Sequence, residues 1–87
     1  MSGAVTWSLG GDAEVLTVQG DVLSLRSSRA FPPGAPAAGT LAGEVPIALT
    51  LKVAGSRRED DGRFVVRGRL VSPTVALRAA LAALPLG

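Results

Sequence analysis

A chain of 87 residues has room for one domain and one modest core, which leaves little stability to spare for strained catalytic geometry. Its apolar content of 47% is carried by Leu, Val, Ile and Ala, with three aromatics (Trp7, Phe31 and Phe64) and no cysteine, so a disulfide framework is excluded. The net charge is only +2 and the basic pI reflects arginines that hold their protons, which makes a general nucleic-acid-binding surface a weak expectation.

Strand-like segments separated by turn chemistry run from the start of the chain to Ser72. Ala4 to Leu9 alternates, with Val5, Trp7 and Leu9 on one face. Gly10-Gly11 supplies the positive φ of a tight hairpin, and Gly20-Asp21 is a second two-residue turn signal. Between them, Glu14 to Val18 puts Leu16 and Val18 on one face; after them, Val22 to Ser27 puts Leu23 and Leu25 inward. Pro32, Pro33, Gly34 and Pro36 predict a loop over 28–39, with order resuming over 40–45. Pro46 to Val53 is the clearest strand, with Ile47, Leu49, Leu51 and Val53 facing one way and Ala48, Thr50 and Lys52 the other. A polar loop over 55–62 joins it to Arg63–Val71, where Phe64, Val66, Gly68 and Leu70 point inward and Arg63, Val65, Arg67 and Arg69 outward.

The period then changes. Ser72-Pro73 reads as an N-cap with proline at the first helical position, Leu77, Leu81 and Leu84 recur at helical spacing among alanines, and Pro85 stops the run. A helix over about residues 73–84 is marginal alone, so its leucine stripe must dock on a sheet face, a barrel mouth or a partner chain. Six strands and one helix in a single domain over 1–87 predict a mostly β fold. The expectation is a small antiparallel barrel of about six strands with a C-terminal α-helix, because closure removes exposed edges.

Histidine, cysteine and tyrosine are all absent, which removes the commonest general base, the thiol nucleophile and the best transition-metal ligands together. Lys52 is the one candidate amine base, yet it falls on the outward face of an alternating strand and not in the desolvated pocket that such a base needs. The carboxylates Glu59, Asp60 and Asp61 sit among arginines without the alternating spacing of a calcium loop. No glycine pattern matches a phosphate loop. The chain is therefore expected to be no enzyme, with no cofactor and no metal. No segment reaches the roughly 18 apolar residues of a membrane span, and no basic-then-apolar leader opens the chain, so the expected location is the cytoplasm.

What remains is binding. Arg57, Arg58, Arg63, Arg67 and Arg69 cluster on one hairpin, where they suit an anion, a nucleotide or an acidic protein surface. The competing reading is a solvated face, since no exposed aromatics interleave to stack on bases. Arg26 and Arg29, flanking Ser27-Ser28, form a smaller basic cluster or a plain strand end. Trp7 and the stripe of Leu77, Leu81 and Leu84 are interface candidates, with core packing as the alternative for each. A homo-oligomer joined through the terminal leucines is a third possibility.

The run Val22-Leu-Ser-Leu-Arg-Ser27 followed by Phe31-Pro-Pro-Gly34, the strand Ile47 to Val53, and Gly68-Arg69-Leu70-Val71 ahead of a terminal helix resemble a PilZ domain over about residues 14–84. The resemblance implies a six-stranded antiparallel barrel with a C-terminal helix and a setting in bacterial motility or cyclic di-GMP signalling. The family's ligand motifs are not matched. No arginine precedes Arg26, and the Asp/Asn-x-Ser-x-x-Gly element would fall on Val15–Gly20, where only Gly20 agrees and Thr17 is a partial substitute. The resemblance thus implies a degenerate member, an adaptor that binds another protein and not the dinucleotide.

Overall fold

Alternating Leu and Val residues produce strands that each bury one face, and closing the sheet on itself is what covers that face without a second layer. The computed structural model describes residues 3–43 and 45–84. Six strands and a helix follow in order: β1 (Ala4–Trp7), β2 (Asp12–Gln19), β3 (Val22–Ser27), β4 (Pro36–Leu41), β5 (Ile47–Arg58), β6 (Phe64–Leu70) and α1 (Val75–Ala82). The strands close into an antiparallel barrel in the order β1-β2-β3-β6-β5-β4, with β4 pairing back onto β1 through Val5–Leu41 and Trp7–Gly39. Inside lie Val5, Leu23, Leu25, Leu51, Val53 and Val66, all nearly or fully buried. Among the described residues no helix is long and apolar enough to cross a membrane.

Both glycine hairpins form where the sequence places them. Gly10 and Gly11 take φ of 105° and 94°, values an L side chain rarely adopts, and the Trp7 N–H reaches the Gly11 carbonyl at 3.0 Å to close the turn. That turn corrects the reading of Leu9: β1 ends at Trp7, so Leu9 stands in the turn, 77% exposed.

The inward face of β2 also differs from expectation. Ala13 and Val15 are buried, and Leu16 is an extra residue in a bulge between Val15 and Thr17, after which Val18 returns to the inward phase opposite Leu23. The proline-rich segment is shorter as a loop than expected. Pro36 opens β4, the one strand position where a missing N–H and a fixed φ cost little, and β4 has ended before the exposed Val45. Strand β5 is longer than expected, since Gly55–Arg58 continue it in register with Phe64–Arg67 past a second bulge at Ala54.

The helix is two turns instead of three. Thr74 is its N-cap, with Oγ1 accepting from the Leu77 N–H at 3.1 Å, and Ser72 sits just outside at φ 46° as the chain turns off β6. Pro85, the expected stop, lies outside the described residues; Ala83 already caps the helix. Leu77 and Leu81 are 2% and 3% exposed and plug this end of the barrel against β5, while the Arg78 Nη1 donates to Asp21 Oδ1 at 2.6 Å across to the β2–β3 turn. Docking answers the marginal length: the buried leucines supply what propensity alone does not.

At the opposite end a small polar network fixes the β1–β2 turn to the loop after β3. Trp7 Nε1 donates to the fully buried Ser27 Oγ at 2.9 Å, and that hydroxyl donates in turn to the Arg29 carbonyl at 2.7 Å. Phe31 meets Trp7 edge to face, with centroids 5.0 Å apart. Arg29 lies over the Phe31 ring and donates through Nη1 to the Leu9 and Gly10 carbonyls, each at 3.2 Å.

Candidate functional site

The arginines singled out on the β5–β6 hairpin separate into two groups. Three of them sit beside acids. Arg57 Nη2 lies 3.5 Å from Glu59 Oε2 and Arg63 Nη1 lies 3.7 Å from Asp12 Oδ1, while Arg58 lines a shallow depression with Glu59, Asp60 and Asp61. These pairs are solvent-exposed and contribute little energy, but they do neutralise the end of the hairpin. Among the described residues the carboxylates form no metal-binding group.

Arg67 and Arg69 are different. Both are exposed on the outer face of β6, and no carboxylate among the described residues pairs with either. Register adds a third cation: Lys52 on β5 stands directly opposite Arg69, and Arg67 lies two residues along the same face. Directly opposed residues on antiparallel strands have Cβ atoms about 5 Å apart, so two like charges here disfavour the pairing. The three side chains, with Val22, Val53, Ala54 and Gly68, line a cleft of about 540 Å³ on the outside of the barrel.

Two backbone features shape this cleft. Ala54 is the bulged residue, and its neighbour Gly55, opposite Arg67, carries no side chain; a Cβ there would meet nothing within 4 Å. The outer surface is therefore dented beside the cations. Gly68, between the two arginines, points inward, where a Cβ would come within 2.9 Å of the Lys52 carbonyl oxygen. That close approach of β6 to β5 holds Arg67 and Arg69 over Lys52 on one face.

In the sequence Lys52 is an isolated outward amine, and its place in the cluster depends on register across the hairpin. The second basic cluster does not assemble. Ser27 is committed to Trp7, Ser28 Oγ accepts from the Asp12 N–H at 2.9 Å, Arg29 anchors the β1–β2 turn, and Arg26 faces Glu14 across β2. Trp7, Leu77 and Leu81 are spent on this chain's own core, and Leu84 is half-buried against it. The stretch Val15–Gly20, where a dinucleotide motif would fall, is β2 and its turn: Val15 is buried, and no acid stands in it.

Fold and face together define a small closed antiparallel β-barrel, plugged at one end by a helix and carrying on its outer wall a cationic cleft that no carboxylate among the described residues pairs with. In comparisons with protein-family models, curated proteins and solved structures, nothing matches the chain.

Proposed function

We propose that this chain is a non-enzymatic protein-interaction adaptor, a PilZ-like barrel without the cyclic di-GMP motifs, which docks an acidic surface of another protein on the Lys52–Arg67–Arg69 face. The observation that carries this reading is the Lys52–Arg69 juxtaposition: like charges in register, with no carboxylate beside them among the described residues, on a chain that pairs Arg57, Arg63 and Arg78 with acids. An interface that supplies the anions turns an unfavourable pairing into a complementary one. The sequence supports the non-enzymatic part, since it lacks histidine, cysteine and tyrosine. Nucleic acid suits the face less well. Single-strand binders stack bases on exposed aromatics, whereas Trp7 and Phe31 are buried and Phe64 packs against the core. A cytoplasmic role in bacterial motility or cyclic di-GMP-related signalling is the setting that the resemblance suggests.

The test is calorimetric titration of the purified protein with poly-glutamate, a single-stranded oligonucleotide and cyclic di-GMP. Poly-glutamate is expected to bind, to weaken as salt rises, and to lose its heat in the double variant Arg67→Ala/Arg69→Ala. Micromolar affinity for the dinucleotide, or an oligonucleotide that outcompetes poly-glutamate, overturns the proposal.

A further inference from the structure

Strand β6, which carries the two arginines, is paired along its length by β3 on one side and β5 on the other, so it offers a partner no free sheet edge to extend. Recognition by strand addition is therefore closed off at β6, and a partner on this face must be read by side chains. On the face carrying the cations, the dent does not stop at Arg67. A second depression of about 480 Å³, lined by Ser24, Gly55, Arg57, Val65 and Arg67, adjoins the first and shares Ala54 and Arg67 with it. The two form one groove along the outside of β6, from Arg69 to Val65. At a rise of about 3.4 Å per residue it is roughly 14 Å long, which suits a short extended segment.

The spacing of the charges selects among acidic segments. Arg67 and Arg69 occupy alternate positions of one strand, so their Cα atoms are about 6.8 Å apart, twice the strand rise. An extended peptide repeats its own side chains on one face with the same period. A helix does not, because its residues two apart project from different faces.

Building on the acidic-partner reading above, we propose that the segment bound at this face is an extended peptide with acidic residues at alternate positions, laid along β6. One acid meets the Lys52–Arg69 pair and the next meets Arg67. The residue between them turns away, and the backbone of the segment settles into the dent over Ala54 and Gly55.

Two peptides of identical length, composition and charge separate spacing from charge: a Ser-Glu alternating repeat and a Ser-Ser-Glu-Glu block repeat. Titrations followed by amide shifts are expected to show the alternating peptide binding about fivefold more tightly, since each exposed ion pair contributes only a modest amount. The shifts are expected to gather at Val22, Ser24, Lys52, Arg67 and Arg69. Gly55→Leu, which places a side chain into open space, is expected to keep the melting temperature within a few degrees and to erase the preference. Equal affinities for the two peptides, or an unchanged preference in Gly55→Leu, overturn the groove while leaving the charge-based reading intact. Shifts confined to other faces overturn both readings. Absence of binding by both peptides overturns the two together.

Discussion

Lys52 on β5 and Arg69 on β6 face each other in register on the outer wall of the barrel, two cations set as cross-strand neighbours. Sheet stability favours opposite charges at such positions and disfavours like ones. Substitution toward an acid therefore separates stability from binding. Arg69→Glu is expected to raise unfolding stability by about 0.5 kcal/mol, within the range of exposed cross-strand ion pairs, while weakening binding to poly-glutamate. Chemical denaturation and the titration described above read the two effects on one sample. A variant that loses stability and keeps its binding contradicts the role given to this pair.

The inward sets Leu49-Leu51-Val53 and Val66-Gly68-Leu70 are legible in the sequence because a strand repeats every two residues and one face must be buried. So are the outward Arg67 and Arg69. Bulges are not legible, because Leu16 and Ala54 are ordinary strand residues whose extra count exists only relative to the neighbouring strand. The consequence for the site is direct. Carried on unbroken from the Arg58–Phe64 pair, the register would set Lys52 opposite Leu70; the extra residue at Ala54 sets it opposite Arg69 instead. The helix cap differs from expectation for a related reason. Ser72 has the right chemistry for a cap, but the chain uses it to turn off β6, and Thr74 caps instead.

Ser27 is the buried hydroxyl on which one end of the barrel depends. It accepts from the Trp7 indole and from the Arg29 N–H and donates to the Arg29 carbonyl, all within 3.1 Å. Ser27→Ala leaves the buried indole N–H without its acceptor, and the cost is expected at about 2 kcal/mol. Ser28→Ala removes one exposed contact, to the Asp12 N–H, and should cost clearly less. Trp7 is the sole tryptophan, so its fluorescence reports the change directly. Equal losses for the two variants would show that the network does not carry this end.

The helix should behave as a docked plug. Leu77→Ala opens a cavity under α1 and is expected to cost about 3 kcal/mol, in the range of buried leucine truncations. Thr74→Ala removes the cap and costs about 1 kcal/mol. Arg78→Ala breaks the link to Asp21, whose partners are partly exposed, and costs under about 1 kcal/mol. Thermal or urea unfolding of the three variants gives the order. If Arg78→Ala were the most damaging, the helix would be held by charge and not by its leucines.

Closure itself rests on how nearly β4 can approach β1. Gly39 stands opposite Trp7 at this seam, and a Cβ on it would lie 2.7 Å from the Thr6 carbonyl oxygen and 3.0 Å from the Trp7 ring. The first of those atoms is backbone, and the second belongs to a ring already held by Ser27 and Phe31, so neither yields without moving the seam. Gly39→Ala is therefore expected to destabilise by about 2 kcal/mol through overpacking. Gly43→Ala, four residues on, meets nothing nearer than 3.6 Å and should cost far less. Hydrogen exchange then locates the damage: the amides pairing β1 with β4 lose protection first, while those between β5 and β6 keep theirs. Uniform loss across all six strands would mean that the seam has no separate stability, and that the barrel opens only as a whole.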